Sequence, residues 1–500
     1  MPPALTQTGT RYATSVRDAL TSPRLLTREV LAGLVVGLAL IPEAIAFSVI
    51  AGVDPRVGLF SAFVMAVSIA FLGGRPAMIS AATGAVALVI APVMRDHGLD
   101  YLLATVILGG LIQVVVGALG VAKLMRFIPR SVMIGFVNAL AVLVAISQLE
   151  ELLASPWMAY VLAAAGMVIL WLFPKVTRAI PAPLVAVVVL TIVVAVFAID
   201  VPTVGDRGAL PDSLPILMLP QVPLTLETLG IIAPYSLGMA AVGLLESLMT
   251  AKLVDDITDT RSSKTRESWG QGVANILSGM FGGMGGCAMI GQTMINVKVS
   301  GARTRISTFM SGVFLLVLVV ALGDVVAMIP MASLVAIMMM VSVLTFDWHS
   351  FRPSTLKRMP RSETAVMLVS TLATIVTHNL AVGVLSGVVV AAVLFTRRVA
   401  HFTTVTRTLA ADGSEARYAV DGELFFASSN DLTTQFEYAA DPERVVIDMS
   451  RSHVWDASSV AALDAIVTKY ERHGATVEIV GMNEAATAFH GRLTGNLGGE

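Results

Sequence analysis

Charge is scarce in this chain of 500 residues: Asp, Glu, Lys and Arg together are 14% of it, where a soluble domain carries about a quarter. Cysteine occurs once, at Cys287, which excludes an internal disulfide and any metal site built from several cysteines. The 33 basic residues nearly balance the 35 acidic ones, so no electrostatic footprint for nucleic acid is present. No nucleotide-binding motif is found, which speaks against an ATP-driven pump, and no cofactor or metal is expected. The start, Met1 to Arg28, holds four arginines and no apolar core, unlike a cleaved signal peptide.

What fills the space is hydrophobic residues, 56% of the chain. Apolar segments recur near 30–50, 56–72, 80–94, 100–121, 128–149, 157–173, 182–199, 228–252, 267–281, 291–301, 305–322, 325–346, 363–379 and 382–399. Such a series predicts a polytopic α-helical membrane protein with fourteen transmembrane segments. Two of them, 80–94 and 291–301, are too short to cross about 30 Å of hydrocarbon as helices. With the amino terminus inside, twenty-two flanking arginines and lysines fall on the cytoplasmic side, and only Arg56, Arg95 and Arg207 fall outside. The positive-inside rule expects this asymmetry, and one missed helix would have inverted every later loop. The expectation is a multi-pass protein of a cell (inner) membrane with both termini cytoplasmic. Its parts are a cytoplasmic segment 1–29, a transmembrane domain 30–400 and a further domain 405–495.

Gly282 to Thr304, reading GGMGGCAMIGQTMINVKVSGART, stands out between the apolar runs. Irregular backbone at membrane depth survives only when buried in protein or lining a watery cavity. A short helix starting near Gly291 has unpaired N–H groups at its amino end, which attract anions, although small residues also serve helix contacts. An echo lies upstream. Ala77-Met78-Ile79 matches Ala288-Met289-Ile290, Ile128-Pro129 matches Ile329-Pro330, and Glu43 matches Glu246. Units of about 30–200 and 228–400, seven helices each, must enter the membrane in opposite senses. Inverted repeats with a pair of interrupted helices mark secondary transporters.

A carboxylate at the bilayer centre costs roughly 2.5–3.5 kcal/mol on insertion scales, so Glu43 and Glu246 are functional candidates. Without a counter-charge a carboxyl group favours its neutral form, which suits proton binding and release; the bland alternative is a neutral interhelical hydrogen bond. Gln113, Asn138 and Gln148 read as structural hydrogen-bonders, Met338-Met339-Met340 as packing, and Lys298 as snorkelling toward the cytoplasm. Asp255, Asp256 and Asp259 read as a solvated cytoplasmic cluster. From Val405 the chain turns polar. Strand-like 445–448 and 477–480 flank an amphipathic helix over 458–471, which predicts a small cytoplasmic α/β domain.

These residues resemble a known family. Pro42-Glu43-Ala44-Ile45-Ala46-Phe47 with Ala51-Gly52 and Gly58-Leu59-Phe60, then Gly243-Leu244-Leu245-Glu246-Ser247 and Gly301-Ala302-Arg303-Thr304, look like signatures of the SulP anion transporters. The tail is similar to that family's STAS domain, with Asp448 ending a strand and Asp456-Ala457-Ser458-Ser459 in the loop before a helix. The resemblance implies a 7+7 inverted repeat split into core and gate domains, assembled as a homodimer in the lipid bilayer. The substrate, a small inorganic or carboxylate anion such as sulfate, bicarbonate or a dicarboxylate, would sit between the amino ends of the third and tenth helices. By position the site would comprise Glu43, Phe47, Ala82, Thr83, Glu246, Gly291, Gln292 and Thr293. The chain departs from the family twice, with Glu43 where glutamine is common and Gly291-Gln292-Thr293 where many members have Ser-Arg-Ser/Thr. Loss of the arginine and gain of a carboxyl imply proton-coupled anion uptake, with Glu43 and Glu246 as proton carriers. Ser458 matches a phosphorylated serine of soluble relatives, but Ser459 replaces the usual glycine, and a scaffolding or dimer-regulating tail is the stronger reading.

Two other readings compete. A membrane sensor would signal anion occupancy through the tail, and a nucleobase–proton symporter would use paired carboxylates to read a base edge. The tail and the Gly301–Thr304 turn weigh against the latter. No His, Ser or Cys constellation at membrane depth supports an enzyme.

Overall fold

In the computed structural model residues 15–120, 128–176, 181–400 and 403–494 are described. Arg11, Lys123, Arg126, Arg178 and the final residue of the expected 405–495 domain lie outside them. The chain divides into two compact units, Met1–Val388 and Val389–Glu500.

Each of the fourteen expected segments contains a helix, although 80–94 opens as a short strand and 291–301 passes into a π turn. These helices are α1 (Pro23–Ala51), α2 (Pro55–Leu72), α3 (Gly84–His97), α4 (Leu99–Ala118), α5 (Arg130–Leu153), α6 (Trp157–Val176), α7 (Ala182–Val196), α8 (Leu226–Thr258), α9 (Lys264–Met280), α10 (Ile290–Met294), α11 (Arg305–Ala321), α12 (Met331–Thr345), α13 (Arg361–Thr377) and α14 (Leu380–Ala400). Among the described residues seven helices are long and apolar enough to cross a membrane, namely α1, α2, α4, α5, α6, α8 and residues 382–399 of α14. Proline at the first turn starts α1 and α2, where a missing N–H costs nothing. The buried carboxylate of Glu29 caps α11, accepting from the backbone N–H of Arg303 at 2.7 Å and the Thr304 hydroxyl at 2.8 Å.

The helices sort into two groups. Helix α11 packs on α1 and α2, α9 on α4 and α2, and α8 on α3 and α4. Separately, α5 packs on α13 and α12, and α6 on α12 and α7. Gly110 of α4 and Gly272 of α9 let the two backbones touch; a Cβ on either would meet the other's carbonyl oxygen within 2.6 Å.

Both interrupted helices begin from short strands that pair with each other. β1 (Ser80–Ala81) runs antiparallel to β2 (Cys287–Ala288), in register Ser80 with Ala288 and Ala81 with Cys287. This corrects the local alignment read from sequence, because Ala77-Met78-Ile79 precedes its strand whereas Ala288 lies within its own. Ala77 takes a left-handed backbone at φ 60°, a strained choice for a residue with a Cβ. The free backbone groups around the strands are met by side chains. Asn275 of α9 accepts from Gly286 N–H at 2.8 Å, donates to Gly286 C=O at 3.1 Å and donates to Gln113 Oε1 at 2.9 Å. Ser247 accepts from Ala288 N–H, and Thr308 and Asn296 donate to the carbonyls of Met78 and Ala77.

Several polar readings are confirmed and two are corrected, Gln148 donating to the adjacent Ser147 hydroxyl of its own helix at 3.3 Å rather than across helices. Gln113 and Asn138 hydrogen-bond between elements, Asn138 accepting from Asp347 N–H at 2.7 Å. Lys298 is exposed, and Met338 is buried. Asp255, however, is no member of a solvated cluster, since it pairs with Arg75 at 3.0 Å and Lys264 at 2.8 Å. The turn that brings Lys264 back toward α8, and Arg75 from the first repeat, were not visible as neighbours in the chain. Asp259 instead forms the left-handed carboxyl cap of α8.

The second unit holds a four-stranded sheet ordered β3 (Thr404–Leu409), β4 (Glu415–Leu424), β5 (Arg444–Val454) and β6 (Thr476–Val480). The β3–β4 pair is antiparallel and the other two pairs are parallel. Helices α15 (Phe426–Leu432), α16 (Ala457–Arg472) and α17 (Glu484–Leu493) complete it. Asp448 does not end its strand; β5 continues to Val454 past a register shift in β4. Hydrogen bonds from Ser450, then Arg417, hold the Asp448 carboxyl at about 2, so it stays ionised until strongly acid pH. Ser458 and Ser459 lie in the first turn of α16 rather than in a loop, because Asp456 caps the helix by accepting from Ser459 N–H at 3.0 Å. The core closes over the buried Asp441, which accepts from the Tyr418 and Tyr470 hydroxyls at 2.6 and 2.5 Å and pairs with Arg407.

Two expected outcomes follow from these networks. Asn275→Ala leaves both polar groups of Gly286 and one of Gln113 without partners, and should cost about 2–5 kcal/mol, read as a lowered melting temperature of the full chain in detergent. Asp441→Ala should destabilise the second unit by about 2–3 kcal/mol, read as faster hydrogen exchange in β4 and β5 of the full chain with the membrane unit unaffected.

Candidate functional site

A cavity of about 150 Å³ opens where the two helix groups meet. One wall is Glu43 and Phe47 of α1, Thr83 and Gly84 at the start of α3, Glu246 of α8, and Met289 to Gln292 at the start of α10. The facing wall is Phe136 to Val144 of α5 with Val341, Ser342 and Thr345 of α12. A larger depression of about 400 Å³ between Arg24, Arg28, Leu31, Val35 and Ser300 is wide open and holds no carboxylate, so volume alone does not mark the site.

Local sequence explains how each group arrives. Pro42 removes a backbone donor just before Glu43 within α1. Thr83 caps α3, its hydroxyl accepting from Val86 N–H at 3.4 Å. Helix α10 continues through a π turn at Ile295–Val299, a distortion that recurs at functional positions. Gly286 lies so close to the other strand that a Cβ would strike the Ala81 carbonyl, which brings the two helix starts together.

The polar groups are wired in two pairs. The Gln292 amide donates from Nε2 to Glu43 Oε1 at 2.7 Å, while its own Oε1 is buried without a hydrogen-bond partner. Cys287 Sγ donates to Glu246 Oε2 at 3.0 Å, and Thr83 Oγ1 lies 3.1 Å from the same sulfur. A thiol has one proton, so with that proton on Glu246 the Thr83 hydroxyl donates to sulfur. No lysine or arginine is among the described residues lining the cavity.

Six of the eight residues expected from sequence, Glu43, Phe47, Thr83, Glu246, Gly291 and Gln292, line this cavity. Ala82 and Thr293 do not. Ala82 is packed away from it, and Thr293 accepts from Ile79 N–H at 3.0 Å, bracing the first break from the second repeat. Sequence reasoning missed Cys287, Phe136, Met289 and Ser342. The signal for Cys287 was its place inside the glycine-rich stretch, but only strand register puts it beside Thr83 and Glu246. In the second unit Ser458 is exposed, whereas Ser459 is buried between Asp456 and Ser429.

The model of the Sulfate permease family matches residues 26–156 and 154–370, and the STAS domain model matches 410–489. The chain is 51% identical to YbaR of Bacillus subtilis (strain 168), named for sulfate transport, over 93% of this chain and 96% of that one. It is 27% identical to the bicarbonate transporter BicA of Picosynechococcus sp., covering 88% and 86% of the two chains. The solved structure of the murine Slc26a9 anion transporter in its inward-facing state superposes with a TM-score of 0.80 at 18% identity, covering 93% of this chain and 87% of that one, a likeness of fold. The chain belongs to the sulfate permease family of multi-pass membrane anion transporters, with a STAS domain at its carboxyl end.

Proposed function

We propose that the chain is a secondary active transporter that imports a small anion together with protons by alternating access. The observation that supports this reading is a cavity between two helix groups that holds two carboxyl groups and, among its described lining residues, no basic side chain. An anion beside two ionised glutamates is repelled, so entry is favoured once a proton has neutralised one of them. The helix starts of α3 and α10 supply backbone donors, and α5 with α12 forms the surface against which the other group moves. Names of relatives point to sulfate or bicarbonate as substrate, and a dicarboxylate suits a site with protonatable walls. The protein works as a homodimer in the inner membrane with both termini cytoplasmic, and Ser458 is exposed where a regulatory phosphate could be placed.

Uptake of labelled sulfate, bicarbonate and succinate into liposomes, with and without an inward proton gradient, tests the reading. The gradient should stimulate uptake of at least one anion, and Glu246→Gln should lose about tenfold of that stimulation. Gradient-independent uptake by the parent, or a Glu246→Gln variant matching the parent under the gradient, removes the coupling role. Deleting residues 405–500 should leave uptake measurable; a full chain that binds anions yet moves none favours the sensor reading.

A further inference from the structure

The buried, unpaired Oε1 of Gln292 is the least explained atom of the cavity, and it sits on the amide whose other end holds Glu43. A primary amide has a donor end and an acceptor end of nearly the same shape, and which end faces a neighbour is set by what that neighbour can accept or donate. An ionised Glu43 accepts only, so it takes Nε2–H at the observed 2.7 Å and leaves Oε1 pointing elsewhere. A protonated Glu43 has an O–H to give. Half a turn of the amide then places Oε1 on that proton and swings the NH₂ group to the place Oε1 had occupied.

We propose that Gln292 is a two-position adaptor that reads the protonation of Glu43 and presents either an acceptor or a donor to the bound anion. This rests on the proton-coupled reading above and specifies how the site would be regulated. With Glu43 ionised, the anion meets a carboxylate and an orphaned carbonyl oxygen, both repulsive. With Glu43 protonated, the negative charge is gone and two N–H bonds become available. One proton thus changes both charge and hydrogen-bond polarity at the anion. No covalent bond is made or broken except the O–H of Glu43, and the proton stays on that oxygen until the anion leaves.

The groups facing Glu43 from neighbouring elements limit rival explanations. Helix α8 contributes Glu246 and β2 contributes the Cys287 thiol that bonds it. Helices α5 and α12 contribute Phe136 and Ser342, neither of which titrates near neutrality, and α3 contributes Thr83. Glu246 is therefore the competing source of any pH dependence, and it does not touch the Gln292 amide through any hydrogen bond among the described residues.

Two variants separate the possibilities. In Glu43→Gln the new side chain can donate permanently to Gln292 Oε1, as protonated Glu43 would. In Gln292→Met the volume is kept and both polar ends are lost. Binding of sulfate, chloride and nitrate, whose charges stay fixed in this range, is measured by calorimetry on the full chain in detergent at about pH 5 and about pH 8. The parent should bind at least one of them about tenfold or more tightly at the lower pH. Glu43→Gln should bind that anion at the higher pH as tightly as the parent does at the lower, with little pH dependence left. Gln292→Met should bind weakly at both values, its affinity ratio falling toward one. A Glu43→Gln chain that binds weakly throughout, or a Gln292→Met chain that keeps the parent's ratio, overturns the adaptor while leaving transport standing. A parent that binds none of the three at either pH overturns the adaptor, which requires at least one of them to bind more tightly at the lower pH. The transport reading also admits bicarbonate and dicarboxylates and is decided separately by the liposome uptake. Should Gln292→Met not fold, Gln292→Leu, which likewise removes both polar ends, takes its place with the same outcomes.

Discussion

The structure depends on keeping two breaks in the membrane-embedded backbone fully hydrogen-bonded. Where α3 and α10 start, the chain leaves helical geometry, and each unpaired N–H or C=O there costs several kcal/mol in hydrocarbon. Pairing β1 with β2 satisfies some of these groups, and neighbouring helices supply the rest. Asn275 of α9 reaches Gly286, Ser278 reaches Gly285, and Thr293 and Asn296 from the second break hold Ile79 and Ala77 of the first. The breaks are cross-braced, each repeat supplying donors and acceptors to the other. This explains why α9 is rich in buried polar residues although it lies inside an apolar unit.

The same bracing sets the cavity. Because Gly286 admits the Ala81 carbonyl at contact distance, the two helix starts converge on one point. Cys287 then lands beside Thr83 and Glu246, and Gln292 beside Glu43. Each carboxyl group is therefore tied to a group at or near a helix start: Glu246 through a thiol to the cap of α3, Glu43 through an amide to α10. One wall of the cavity therefore lies wholly in one helix group, and on the proposed alternating-access reading the other group could move without dismantling it.

Much of this was legible from residue order. A series of apolar helices and the α/β tail reappear, because burial in lipid demands apolar runs and Asp, Glu, Lys and Arg mark their ends. Among the described residues, however, only seven helices are long and apolar enough to cross a membrane. Glu43, Glu246 and Gln292 stood out because polar atoms at depth are expensive. What sequence could not give was partnership. The family resemblance places Thr293 in the site by position, yet one helical step turns its hydroxyl to Ile79. Asp255 read as solvated because its partners, Arg75 and Lys264, are brought to it only by packing of α8 against the first repeat and by the turn into α9. Cys287, which in the sequence served only to exclude a disulfide and a multi-cysteine metal site, gained a role beside Thr83 and Glu246 only through strand register.

The lack of a basic side chain among the described residues lining the cavity is the part of the design with the widest consequence. A fixed guanidinium would attract an anion equally well on entry and on exit, and a carrier gains nothing from affinity that does not change between its states. Differential affinity is what drives a cycle, and shifting a two-state equilibrium decisively takes several kcal/mol of difference. On the proposed reading, carboxyl groups that gain and lose protons would provide such a difference, since neutralising Glu43 or Glu246 would remove a repulsion at short range in the cavity. The neutral side chains at Gln292, Thr83 and Cys287 suit this arrangement because each can reverse its hydrogen bond at little cost. On the proton-coupled reading proposed above, a permanent charge there would hold the anion whatever the protonation of the glutamates, and binding would not respond to a proton gradient.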